Sequence, residues 1–217
     1  MTPKEVSFGR EIVLRAAVDV VRAKGLEGLT ARNVGSALAA SVAPVYKAYG
    51  SMDDLTRAVL EEIRRLVDER TRQPLTEIPF LNIGVGIVVF ARDESALFRA
   101  LFHSRHSCPD ILEAFYRSIL ERMKSDQMLS WLPENRLGRL LDSLWLYTLG
   151  LATAIIFGQL VDLGTENVVR LFKSMGNILM FAEVADIADC ESPNNEREWT
   201  RILREKKIVL PSSNTRP

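Results

Sequence analysis

The sequence predicts an all-α protein: an N-terminal three-helix helix-turn-helix unit followed by a larger helical part. Three observations carry that expectation. Apolar residues recur at helical spacing along almost the whole chain, and no run alternates apolar and polar residues as a half-buried strand would. Ser or Thr stands just before several periodic stretches, where a side-chain oxygen can accept from the first free N–H groups of a helix. Gly25, Gly50 and the pair Pro74/Pro79 fall at the joints between stretches.

Each element follows in order. Residues 10–24 carry an apolar stripe through Ile12, Ala16, Val20 and Ala23, and Gly25 suits a left-handed cap. Thr30 is the expected N-cap of a second, short helix reaching Leu38, with Ala39-Ala40 as the connection. Ser41 is the expected N-cap of a third, in the stretch "SVAPVYKAYG". Pro44 then falls at the third helical position, where its missing N–H costs no intrahelical bond. Ser51 caps a fourth helix whose Asp53 and Asp54 face the positive dipole end, and it runs to about Arg72. Beyond the prolines the pattern reads as helices near 80–91, 94–103, 110–125, 133–163 and 166–185, a further one at 196–207, and a loose tail. The expected organisation is a helix-turn-helix domain over 1–52, a connecting helix over 53–73, a helical ligand-binding and dimerisation domain over 74–191, and a C-terminal extension over 192–217.

Composition narrows the class. At 26% charged and 47% hydrophobic residues the chain reads as globular and not as disordered. Two cysteines are too few for a secreted disulfide framework, and "MTPKEVSFGR" lacks an apolar signal core, so a cytoplasmic protein is expected. The formal net charge is zero, but residues 1–50 hold seven Lys/Arg against four Asp/Glu, and no acidic residue occurs from Thr30 to Ser51.

Over about residues 8–60 the sequence resembles the tetracycline-repressor (TetR) family of transcriptional regulators. The resemblance rests on Leu29-Thr30, Arg32, Val34-Gly35, Ser41, Val45-Tyr46, Tyr49 and Leu55 after "MDD". It implies a homodimer that binds a palindromic double-stranded DNA operator and releases it, as a repressor, when a small molecule binds. The second helix of the unit would enter the major groove, with Val42, Ala43, Pro44 and Lys47 at base edges. Ser41 would sit at that helix start, Tyr46 and Thr30 would bond phosphate, and Arg32 would reach phosphate or a base. Tyr49 is expected in the small core. Two departures stand out: Ala39 or Ala40 where the family commonly has glycine, and Met52 where it commonly has a phosphate-holding lysine. The competing expectation is a helical small-molecule-binding or interaction protein whose helix-turn-helix no longer grips DNA.

For the C-terminal part the resemblance implies a ligand pocket and a four-helix dimer bundle. Phe98, Leu101, Phe102, Phe115, Trp145, Tyr147 and Phe157 are the bulky candidates for lining the pocket. Leu149, Thr153 and Ile156, with Phe172, Met175 and Leu179 in a stripe that also holds Val169, Ile178 and Ala182, are the candidates for the dimer face. The run 143–161 has no charged residue and approaches the length of a membrane span. It contains Ser143, Thr148, Thr153 and Gln159, and no Lys/Arg cluster flanks it, so a buried or half-buried soluble helix is expected and no membrane partner. His103, His106 and Cys108 match no established zinc spacing, so no metal or other cofactor is expected. No phosphate-binding loop, nucleophile elbow or H-E-x-x-H occurs, so no enzyme is expected.

Overall fold

The structure, a computed structural model, describes residues 8–160 and 164–187, with side chains to Glu183. The expected helix at 196–207 and the extension 192–217 lie outside the described residues. Among the described residues the chain forms helices α1 (Arg10–Lys24), α2 (Ala31–Ala37), α3 (Ala43–Tyr49), α4 (Met52–Thr71), α5 (Pro79–Asp93), α6 (Ser95–Phe102), α7 (Pro109–Lys124), α8 (Glu134–Ile156) and α9 (Thr165–Ile187), and no strand.

The three-helix head is built on α1. Its buried face is Val13, Ala17, Val20 and Val21; Ile12 is 52% exposed and Ala23 is exposed, so the core stripe lies about one residue round from the expected one. Gly25 ends α1 at φ 72°, its N–H donating to the Val21 carbonyl at 2.8 Å, and a 3₁₀ turn leads to Thr30. Tyr49 is buried and anchors α3 to α1: its hydroxyl donates to the Arg10 carbonyl at 3.1 Å, and the Arg10 guanidinium lies over its ring.

α4 begins as expected. The Ser51 hydroxyl oxygen accepts from the Asp54 N–H at 3.1 Å and donates to the Asp54 carboxylate at 2.6 Å. Leu55, Val59, Leu60, Ile63 and Val67 form its buried face. At its far end α4 crosses α5 closely: a Cβ on Gly86 would stand 2.7 Å from both the Arg70 carbonyl oxygen and the Thr71 Cα.

α5 is the central helix, buried along nearly every turn from Leu81 to Ala91, and it packs on α4, α6, α8 and α9. Gly84 admits the Phe172 ring of α9, whose Cε1 would lie only 2.1 Å from an added Cβ. α8 is apolar and long enough to cross a membrane by length and composition alone. Leu137, Leu140, Leu141, Leu144, Thr148, Leu151 and Ala152 are nevertheless buried within the chain. The expected helix over 133–163 stops at Ile156. Phe157 and Gly158 turn the chain, with Gly158 at φ 67°, and 161–163 lie outside the described residues. α8 and α9 are joined by ion pairs from Arg136 and Arg139 to Glu183 at 3.5 and 3.0 Å.

Candidate nucleic-acid interface

The candidate face is made by the start of α2, the α2–α3 turn and α3. Thr30 caps α2, its Oγ1 accepting from the Asn33 N–H at 3.2 Å. The turn is a Schellman arrangement: the Ala40 N–H donates to the Gly35 carbonyl at 2.9 Å and the Ala39 N–H to the Ser36 carbonyl at 3.1 Å. Ala39 takes the left-handed position at φ 51°, where glycine is usual. Gly35 is required by packing, because a Cβ there would lie 2.9 Å from the Ser41 carbonyl oxygen.

The start of α3 differs from the expectation. Val42, not Ser41, is the N-cap residue, and it carries helical dihedrals with no side-chain cap. The Ser41 hydroxyl oxygen accepts weakly from the Ala43 N–H at 3.4 Å, a local turn and not a helix cap. Pro44 therefore occupies the second helical position, where an N–H has no intrahelical partner, so it is tolerated for the same reason one residue earlier.

Within α3 the helical period sorts the side chains. Val45 and Tyr49 point into the core, at 1% and 5% exposure. Val42 and Tyr46, one turn apart, are 42% and 47% exposed, and Ser41, Ala43 and Lys47 are exposed beside them. Pro44 is half-buried, and Thr30 and Arg32 are exposed at the start of α2. All eight expected DNA-facing residues thus lie on the surface of one compact unit. Among the described residues, Arg32, Tyr46 and Lys47 have no hydrogen-bond or ion-pair partner. The face offers cationic and phenolic donors beside small apolar groups, with no carboxylate from Thr30 to Ser51.

The expected pocket residues are placed differently. Phe98, Leu101 and Phe115 are fully buried. Phe98 meets Phe102 at a ring separation of 4.5 Å, and Trp145 packs on Phe102, Phe115 and Tyr116 at 5.8–6.1 Å. These rings fill the space between α6, α7 and α8 as core. Tyr147 packs edge-on against Phe172, and Phe157 is 62% exposed beyond the end of α8. Burial and the hydrogen bond to Asp142 at 2.5 Å push the Tyr116 hydroxyl up to about 12.

An open groove in the C-terminal part lies elsewhere, beside a shallower depression lined by Pro79, Glu121, Arg122, Asp126 and Met128. The groove measures about 250 Å³ and runs between the start of α5, the α7–α8 connection and α9. Ile78, Phe80 and Leu81 line one side, Met128 and Leu129 a second, and Lys173, Gly176, Asn177 and Met180 the third. Its residues come from three distant segments, so no local pattern in the sequence marks it.

Of the expected dimer residues, Leu149, Thr153, Ile156, Met175 and Leu179 are half-buried along α8 and α9, while Phe172 is 1% exposed and belongs to the protomer core against Gly84. The more exposed apolar groups are Leu146 at 71% and Ile178 at 58%. Thr153 donates to the Leu149 carbonyl at 2.7 Å and its hydroxyl meets His103 Nε2 at 3.3 Å. Burial, with Arg99 nearby, lowers the His103 pKa. His106 Nε2 pairs with the Leu101 carbonyl at 3.0 Å, and its Nδ1 accepts from the Cys108 N–H at 3.4 Å. No three potential metal ligands gather among the described residues.

No protein-family model matches the chain, and no curated protein matches it. Among solved structures it is similar to a TetR-family transcriptional regulator from Streptomyces coelicolor, with a TM-score of 0.67 at 15% identity, over 94% of this chain and 90% of that one. Looser likenesses join it to a possible TetR family regulator from Streptomyces coelicolor A3(2), TM-score 0.48, 17% identity, 65% and 68% covered. A TetR-like regulator from Rhodococcus sp. RHA1 gives TM-score 0.49, 17% identity, 81% and 96% covered. The first of these covers both the head and the helices behind it, so the described residues have the all-α fold of a TetR-family regulator.

Proposed function

We propose that the protein is a DNA-binding transcriptional regulator, a cytoplasmic homodimer that represses from a palindromic operator and is released by a small molecule. The observation that carries the reading is the acid-free α2–α3 face, on which Arg32, Tyr46 and Lys47 stand exposed and unpartnered among the described residues. Buried or structural polar groups find partners; three free donors on one surface suit an anionic partner outside the chain.

On this reading residues 1–52 form the DNA-binding unit, α4 the connection and 74–191 the ligand-binding and dimerisation part. Val42, Ala43 and Pro44 supply apolar contacts suited to thymine methyl groups, Lys47 reaches guanine or phosphate, and Tyr46, Arg32 and the Thr30 end of α2 hold the backbone. The exposed apolar strip of α8 and α9, with Leu146 and Ile178 at its centre, meets the same strip of a second copy about a two-fold axis. A membrane is the poorer partner for α8, because Arg136, Arg139 and Asp142 lie within that helix and are held by Glu183 and Tyr116.

The experiment is selection of random duplex DNA by the purified protein, then binding of the selected sequence at two salt concentrations with Tyr46→Ala and Lys47→Ala alongside. A palindromic consensus, bound with a steep salt dependence and weakened in both variants, supports the reading. Met52 favours one alternative, a ligand-binding protein with a head that has lost DNA affinity, and absence of any enriched sequence would favour it over the regulator.

A further inference from the structure

The groove between α5, the α7–α8 connection and α9 has uneven chemistry. Phe80, Leu81, Leu129 and Met180 make apolar walls, and Gly176 makes the floor. A Cβ on Gly176 would approach Leu81 Cδ2 to 3.2 Å, so the bare backbone keeps that space open. One wall is braced by buried Asn82. Its Oδ1 accepts from the Thr76 N–H at 2.6 Å, its Nδ2 donates to the Thr76 carbonyl at 3.4 Å, and Thr76 Oγ1 donates to the Ile78 carbonyl at 2.8 Å. These bonds fix the segment that delivers Ile78 and Phe80, so this wall is braced without an occupant.

The polar groups at this groove are Lys173 and Asn177, one helical turn apart on the same side of α9. Among the described residues Lys173 is exposed and has no ion-pair partner, and none of those lining the groove is a carboxylate. An unpaired ammonium at the edge of apolar walls selects a ligand with one anionic end and a hydrocarbon body: the head forms a charge-assisted hydrogen bond while the tail leaves water. An enclosed cavity of about 150 Å³ takes benzene, so about 250 Å³ suits a chain of about eight to ten carbons.

We propose that this groove binds an amphipathic carboxylate, with Lys173 and Asn177 holding its head and Phe80, Leu81 and Met180 enclosing its alkyl tail. The proposal deepens, and for its regulatory meaning rests on, the small-molecule response proposed above. It is tested without DNA, so its failure would leave the duplex-selection result untouched.

The test is calorimetric titration of the full chain with octanoate and with its neutral counterpart, octanamide. Octanoate is expected to bind at one saturable site, with octanamide at least about tenfold weaker, as expected for loss of a charge-assisted hydrogen bond. Lys173→Glu should weaken octanoate at least about tenfold while leaving thermal unfolding unchanged, and Lys173→Arg should keep binding within a few-fold. Gly176→Leu fills the floor and should abolish binding. Absence of saturable octanoate binding would overturn the proposal, as would binding unchanged in both Lys173→Glu and Gly176→Leu.

Discussion

The guanidinium of Arg57 grips the Asp110 carboxylate through two nitrogens, at 2.7 and 3.1 Å, and so joins α4 beside the head to the first turn of α7. The hydrogen bond from Arg57, with its charge, holds the Asp110 carboxyl below the usual carboxylate range. A carboxyl depressed in the folded state contributes stability above its unfolded pKa and loses that contribution as pH falls through the folded value. Asp110→Asn should therefore lower the melting temperature slightly at neutral pH and low salt. The difference should vanish in strong acid and in about 1 M salt, where screening acts over about 3 Å. Thermal melts across pH and salt measure it; a salt-independent loss would point to packing and not to the ion pair.

Ala39 holds a left-handed conformation that costs a side-chain-bearing residue about 1–2 kcal/mol, part of which glycine would return through its greater freedom in the unfolded chain. Ala39→Gly is expected to stabilise the protein by about 1 kcal/mol in urea unfolding, without changing the helix content. A loss of stability would mean that the methyl group makes a contact outweighing the strain.

Met52 opens α4 at the edge of the proposed DNA face and is half-buried against the core. A lysine can keep that packing with its stem while extending its ammonium to solvent. Met52→Lys should tighten operator binding at low salt and steepen the salt dependence by about one unit of slope, while Lys47→Ala should flatten it by about one. Binding isotherms at several salt concentrations read both.

Gly86→Ala places a methyl against backbone on α4 that has no rotamer to yield, and should cost about 2–3 kcal/mol. Gly138→Ala is the matched control: an added Cβ meets nothing within 4 Å, and the change should stabilise α8 by about 0.5–1 kcal/mol. Denaturant unfolding of the two variants separates close packing from helix propensity.

The head was legible because its signals are local. Thr30 and Ser51 cap the helices they precede in the sequence, accepting from the Asn33 and Asp54 N–H groups, and Tyr49 lies in the core as expected. Ser41 misled because serine serves turns as readily as caps, and its hydroxyl is used two residues on. In α9 the apolar stripe did not separate Phe172 from Ile178. Hydrophobicity is the same signal for a protomer core and for an exposed strip, and only the partner helix, with Gly84 opposite Phe172, decides between them. Of the aromatic candidates for cavity walls, Phe98, Phe102, Phe115 and Trp145 pack on one another between α6, α7 and α8. Their size was visible in the sequence; their neighbours were not.

Helix α4 spans twenty residues, about 30 Å at helical rise, from Ser51 next to α3 to Thr71 wedged on Gly86. On the proposed function that geometry would make α4 a lever with its fulcrum at the wedge. A tilt of about 4° there carries the far end, with Leu55 and the Arg57–Asp110 bridge, through about 2 Å over that length. In the two-fold dimer proposed above the two displacements would add to about 4 Å, roughly the rise of one DNA base pair.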